Sequence, residues 1–536
     1  MFLYYTPRLS PCQTLPGPRS LSFLHSLSPF PLYLFTGKLS PCRGKLVDLR
    51  LLTFPPPGVT MPLTLRPVPQ RRTFSTKGEI FMEAKCPQEN ALLTGVIWKQ
   101  ILLFFLPVAL GTFFQQMYNT VDALVVGNFV GMNALGAVGG ATASVINLIL
   151  GFFVGVSSGA TVVIAQQYGA GNRETLSRVV HTTAVLSLAT GAVLTVVGVL
   201  FVPGTLTLLH QPEELMVDSV TYLRIYFAGI LPTLLYNVGA GVLRAVGDSR
   251  RPMIYLIVCC AVNVVLDLLL VAVLPLGVAG AAIATVLSQV VSALLVIVRL
   301  LRTEDAYRLI PKRIRFHRHE TGLILRIGLP AGLQSAMYNI ANTYIQSRIN
   351  LYGTVTVAAW TVLGKVDGLS WLIIGAFGIS VTTFVGQNYG AGRIDRVRRS
   401  IWVAHGMTLC FTVLFSVAIL ILGRPLYLLF GADEDPAVLA AGMRMLWLIG
   451  PFYSLYVPVE IFSGAMRGVG KTLVPTLITC VGVCLLRIVW TTVAYHVSPS
   501  FDAVVLSYPV SWFCASAAFL VYHRWGHWLP ARDPQS

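Results

Sequence analysis

The chain has 536 residues, of which 55% are hydrophobic and only 11% charged, with a formal net charge of +17 and a mean hydropathy of +0.71. A soluble protein carries roughly a quarter charged residues, so the composition excludes a water-soluble globular fold. The positive balance does not point to nucleic acid either, because Lys and Arg sit in short turns between apolar runs and not on one polar face.

Residues 1–81 stand apart: they are rich in Pro, Ser, Leu and Arg, and prolines break every apolar run at short intervals. They lack the basic start, apolar middle and small-residue cleavage site of a signal peptide. The expectation is a disordered extension, or a start placed too early, with a fresh start at Met82 before Trp98-Lys99-Gln100. A bilayer span needs about 20 apolar residues. Runs of that kind fall near 101–126, 134–165, 179–202, 219–244, 253–275 and 278–300, then near 322–350, 356–387, 400–423, 437–466, 472–495 and 502–523. The reading is an all-α membrane protein of twelve transmembrane helices in two pseudo-symmetric six-helix lobes, 98–302 and 321–525, with a linker at 303–320 and a tail at 526–536.

Loop charge supports the count. Alternate connections hold Arg173 and Arg178, then Arg244, Arg250 and Arg251, the linker from Arg299 to Arg318, then Arg393, Arg396, Arg398 and Arg399, and finally Arg467 and Lys471. The intervening turns are nearly bare of Lys and Arg, and two carry acids, Glu213-Glu214 and Asp433-Glu434-Asp435. The positive-inside rule then places both termini and the linker in the cytoplasm of an inner-membrane protein. The halves also repeat. Pro107 recurs as Pro330, an offset of 330 − 107 = 223, and Arg244, Gly247 and Pro252 recur as Arg467, Gly470 and Pro475 with the same offset. Gln167-Tyr168-Gly169-Ala170-Gly171 recurs as Asn388-Tyr389-Gly390-Ala391-Gly392. Both halves start on one side, so the repeat is parallel, about an axis along the membrane normal, an architecture suited to a path between the lobes and alternating access.

With the Leu-Pro openings and the Tyr-Gly-Ala-Gly loops, Tyr118-Asn119-Thr120-Val121-Asp122, Leu243-Arg244-Ala245-Val246-Gly247-Asp248 and Asn263 through Asp267 carry a family resemblance. Over about 98–525 the sequence resembles the multidrug and toxic compound extrusion (MATE) family, most like its bacterial DinF-like branch. The resemblance implies an antiporter that exports small organic, often cationic and amphipathic, compounds in exchange for H+ or Na+, with no cofactor beyond that ion. A lipid-linked precursor flippase of the same broad superfamily is the alternative.

An ionisable side chain at bilayer depth is a functional candidate by default. Asp122 lies in the first span and Asp267 in the fifth; Tyr118 and Asn263 each precede an acid by four residues and share its helix face. A phenol and an amide can each hydrogen-bond a carboxyl in either protonation state, so an acid pair that takes up and releases protons near neutral pH is expected, against the alternative of structural hydrogen-bond anchors. The resemblance adds Thr285 to this ion-coupling set and implies a helix bend at Pro107. The second lobe does not repeat the acids: the offset maps Asp122 to Ile345 and Asp267 to Trp490. It carries Lys365, Asp367, Glu460 and Arg487 instead, and a buried ion pair between Glu460 and Arg487 is expected. Phe113, Met117, Tyr236, Met337, Tyr338, Trp360 and Trp371 are candidates to line a substrate cavity.

Other patterns point away from catalysis and metals. Gly155-Val156-Ser157-Ser158-Gly159 has nucleophile-elbow spacing but lies inside a span without the strand-to-helix turn that pattern needs. Small residues at 151–160 are expected to allow close helix approach. The nine cysteines lack metal-ligand spacing and the histidines are scattered, so the expectation is a monomeric, non-enzymatic chain without a metal site.

Overall fold

The computed structural model describes residues 91–429, 435–497 and 500–530. The expected extension 1–81, the acids Asp433 and Glu434, and the tail beyond 530 lie outside the described residues. A short helix α1 (Ala91–Thr94) leads into α2 (Ile97–Phe129), followed by α3 (Met132–Val138), α4 (Gly140–Gly169), α5 (Arg173–Leu208), α6 (Glu213–Ala228), α7 (Ile230–Ala245), α8 (Arg250–Asp267) and α9 (Gly277–Arg302). The second half continues with α10 (Arg318–Ile349), α11 (Thr354–Gly390), α12 (Ile394–Leu429), α13 (Pro436–Ile449), α14 (Val457–Gly468), α15 (Leu473–Thr479), α16 (Leu486–Val497), α17 (Phe501–Val505) and α18 (Ser507–Trp525). No strand occurs among the described residues.

Among the described residues, ten segments are long and apolar enough to cross a bilayer, and α6 with α7, bent by 50°, makes an eleventh. Gly229 sits at that bend, and Pro232 follows at the third position of α7, where its ring cannot accept the preceding turn of a straight helix. The twelfth span is α10, 32 residues long but carrying Arg318, Glu320, Arg326 and Arg348, so its length and not its hydropathy marks it. Each expected span thus has a helix of membrane length, and the array is the expected all-α fold of twelve spans in two halves.

The repeat is visible in the backbone. Gly171 and Gly392, which end the two Tyr-Gly-Ala-Gly loops, have φ of +70° and +71°, the left-handed conformation that stops a helix without a Cβ clash. Asn172 then caps α5 by accepting from the Thr175 amide at 3.1 Å. α4 packs along α10, and by the same relation α11 packs on α2. The α4–α10 seam fits because glycines meet there: a Cβ on Gly159 would lie 2.3 Å from the Ile324 carbonyl oxygen and 2.6 Å from the Gly328 amide. The small residues at 151–160 therefore serve close approach, as expected, and the nucleophile-elbow spacing is incidental to it.

Candidate functional site

α2 lies against α8, α8 against α9, and α6 against α9. These contacts bring four polar stretches to one place in the first lobe. Asp122 is 7% exposed and Asp267 fully buried, and the two carboxyls are close enough to influence each other electrostatically. The Thr285 hydroxyl donates to Asp122 Oδ2 at 3.5 Å, and the Gln289 amide donates to the Tyr118 hydroxyl at 3.3 Å. Asn263 is fully buried one turn before Asp267, and neither its amide nitrogen nor its oxygen has a partner in the protein; the same holds for both Asp267 oxygens. Asp122, Asp267, Thr285 and Tyr118 thus lie in one neighbourhood, with Asn263 one helical turn from Asp267 on α8.

Helix geometry contributes to that convergence. After Asp267, α8 widens into a π-helical turn, Leu268–Val273, a distortion frequently found at functional sites. Three neighbours were not singled out in the sequence. Tyr222 and Tyr226 from α6 are buried, stacked with centroids 6.3 Å apart, and Tyr222 faces Asp122 and Thr285. Gln289 follows Thr285 by one turn of α9, on a polar stripe with Ser288 and Ser292. That stripe was the available signal, since hydroxyls and amides recurring every turn inside an apolar helix mark its interior face. α2 runs unbroken through Pro107.

The second lobe corrects one expectation. Glu460 does not pair with Arg487; its Oε1 accepts from Arg467 at 3.1 Å, two turns along α14. Arg487 is 3% exposed and lies over the Tyr508 ring, 3.8 Å from the centroid, with Asn342 Oδ1 and Ser511 Oγ each at 3.4 Å. It makes no ion pair among the described residues. The physical reason is spacing: residues seven apart share a helix face, so Arg467 reaches Glu460 without leaving α14. Asp367 accepts from the Trp371 indole at 2.7 Å and faces Tyr453. Trp371 in turn meets Tyr456 and Trp512 edge-on at 4.8 and 5.7 Å, and Tyr456 shares a short hydroxyl contact with Tyr338. Lys365 is exposed. The four charges thus form no single cluster. Tyr236, expected as a cavity residue, instead donates to the Pro252 carbonyl at 3.1 Å inside the first lobe.

At the arginine-bearing ends of the spans, the basic face, the halves lock reciprocally. Gln166 Nε2 donates to the Gly468 carbonyl at 2.8 Å, and Gln387 Nε2 donates to the Ala245 carbonyl at 2.6 Å. The helix ends beside them touch so closely that a Cβ on Gly169 would fall 2.0 Å from the Gln387 oxygen, and one on Gly390 2.0 Å from the Gln166 oxygen. α1 is sewn into the same closure: the Leu92 carbonyl accepts from Asn388 at 3.2 Å and from Arg396 at 3.1 Å.

The MatE family model matches residues 107–269 and again 330–493. The chain belongs to the MatE family. Its two matches begin at the two prolines that mark the 223-residue offset, so the family model recurs once in each half. Among similar proteins, the "Probable multidrug resistance protein YpnP" of Bacillus subtilis is 28% identical over 81% of this chain and 96% of its own length. The "Probable multidrug resistance protein YoeA" of the same organism is 29% identical over 72% of this chain and 84% of its own. A solved structure described as the outward-facing conformation of a multidrug resistance MATE family transporter of the MOP superfamily superposes with a TM-score of 0.77, covering 82% of this chain and 97% of that one at 23% identity. It shares the fold. The MatE chain described here is a multi-pass membrane transporter.

Proposed function

We propose that this MatE transporter exports small organic compounds, often cationic and amphipathic, by cation-coupled antiport, with H+ favoured over Na+ as the coupling ion and no resident cofactor. The relatives named for multidrug resistance support the export reading. The observation that carries the coupling is the burial of Asp122 and Asp267 close to each other, with both Asp267 oxygens and the Asn263 amide unpartnered. Two carboxylates close together, without a donor between them, repel and leave acceptors unsatisfied in a low-dielectric interior. One proton lets the two share a hydrogen bond; its loss favours separation of α2 from α8 or entry of a cation. Occupancy of the site thereby biases how these helices pack. A substrate that prefers one packing is linked reciprocally to the ion.

The basic turns orient the chain with its termini and linker in the cytoplasm of a cell inner membrane. The reciprocal glutamine closure is then the cytoplasmic gate, shut in this conformation, and the functional unit is one chain. Ethidium efflux from energised cells tests the proposal, with Asp122→Asn and Asp267→Asn compared at matched abundance. Efflux that a protonophore collapses and that both variants lose is expected. Sodium-dependent efflux persisting in both variants would overturn the first-lobe site.

A further inference from the structure

The basic face of the first lobe holds a cavity of ≈ 1090 Å³ between the ends of α2, α4, α5, α8 and α9 and the segment 305–307. Four guanidinium side chains, Arg173, Arg250, Arg251 and Arg299, reach its wall from three helices, against two carboxylates, Asp248 and Asp305. Asp248 is engaged by Arg251 as an ion pair. Arg173, Arg250 and Arg299 make no ion pair among the described residues, and Arg299 Nε is buried without a partner in the protein. Two helices also begin at this wall, α5 at Arg173 and α8 at Arg250. Their N-termini add partial positive charge, while Asn172 and Asp248 already accept from the Thr175 and Arg251 amides.

The second lobe shows what such arginines do when the protein supplies acceptors. There Arg393 donates to the Leu93 carbonyl, and Arg396 to the carbonyls of Leu92 and Gly95. In the first lobe no described segment plays that part for Arg173, Arg250 and Arg299. We propose that this cavity binds a phosphate-bearing anion, supplied by the headgroup of an acidic phospholipid in the cytoplasmic leaflet. The lipid source rests on the orientation inferred above. The chemistry fits: guanidinium forks match phosphate oxygens bidentately, and basic pockets between spans on the cytoplasmic side take acidic headgroups. Leu92 and Leu93 line the same cavity while bonding to the second lobe, so an occupied cavity favours the closed cytoplasmic gate.

The test uses the purified full chain in neutral detergent, with bound lipid read by native mass spectrometry and by the shift of the melting temperature. Phosphatidylglycerol is the probe, phosphatidylcholine the zwitterionic control and inorganic phosphate the free-anion arm. Phosphatidylglycerol should be retained and phosphatidylcholine lost. Combined Arg173→Gln, Arg250→Gln and Arg299→Gln should weaken phosphatidylglycerol binding by about 100-fold. Arg315→Gln, an exposed linker cation outside the cavity, should bind like the parent. Equal retention of both lipids, or equal loss in Arg315→Gln, overturns the proposal. Inorganic phosphate binding as tightly as phosphatidylglycerol overturns the lipid source. Should the triple variant fail to fold, Arg299→Gln alone should lose roughly fivefold and Arg299→Lys should recover part of it; two indistinguishable single variants would overturn the assignment. Binding should be unchanged in Asp122→Asn, so a failure of the export reading leaves this measurement standing.

Discussion

At the 223-residue offset, Asp122 of the first lobe faces Ile345 of the second and Asp267 faces Trp490, while in the other direction Glu460 corresponds to Asn237 and Arg487 to Val264. The backbone features do repeat: the left-handed glycines at 247 and 470 at the same offset, and, at 392 − 171 = 221, those at 171 and 392 together with the glutamine donors at 166 and 387. What the halves keep in common is therefore the machinery of helix ends and lobe contact. What they do not share is the position and sign of buried charge, Asp122 and Asp267 in the first lobe and Arg487 in the second. Under the proposed coupling, an ion site in one lobe suffices to bias the equilibrium between two arrangements.

The largest expected effect breaks the asymmetry directly. Asp267→Asn should lower ion-coupled export in proteoliposomes by about 100-fold, the upper range of ordinary coupling free energies, and Asp122→Asn should come close to it. Equal losses from Ile345 or Trp490 substitutions would mean that the lobes share the work. Next are the paired glycines. Gly169→Ala and Gly390→Ala each place a Cβ 2.0 Å from a carbonyl across the closure, which should cost the closed form about 1–3 kcal/mol. Distances between spin labels on the two lobes should lengthen on the basic face in both variants alike. If only one variant opens, the closure is not symmetric. Gln166→Ala and Gln387→Ala should act in the same direction but less, each leaving one carbonyl without its donor at about 1–2 kcal/mol. Cysteine labelling at the basic face would measure that opening.

Much of this plan is legible in the sequence, and the reasons are physical. Spans announce themselves because lipid tolerates no exposed backbone polar groups, and the repeat because helix stops need particular residues, as Gly171 and Gly392 show. Asp122 and Asp267 stand out because acids are rare at bilayer depth. The partners of long side chains are not legible in the same way. Gln166 and Gln387 reach carbonyls across the lobe interface, a relation that no local pattern encodes. Tyr222 and Tyr226 become site neighbours through the packing of α6 on α9, a relation between distant helices that no local pattern states. The partner of Glu460 is legible by contrast: Arg467 lies seven residues on along one helix face, nearer than Arg487 by any helical count.

That pair supplies the smallest prediction and the sharpest control. Glu460→Gln keeps an oxygen acceptor for Arg467 and removes only the charge, within a contact whose two side chains are 20% and 19% exposed. Partial hydration of this kind limits the loss to about 1 kcal/mol, a fall in melting temperature of roughly 2 °C or less for a chain of this size. Export should persist within about twofold of the parent, since a change of this size leaves coupling elsewhere intact. Glu460→Ala should cost more stability than Glu460→Gln, because Arg467 then loses its acceptor as well as the opposite charge. The distinction lies in which quantity moves: a structural pair shifts melting and spares coupling, whereas Asp267→Asn should do the reverse. If Glu460→Gln removed coupled export while leaving the melting temperature unchanged, the ion pathway would include the second lobe, and the difference between the lobes would be one of degree.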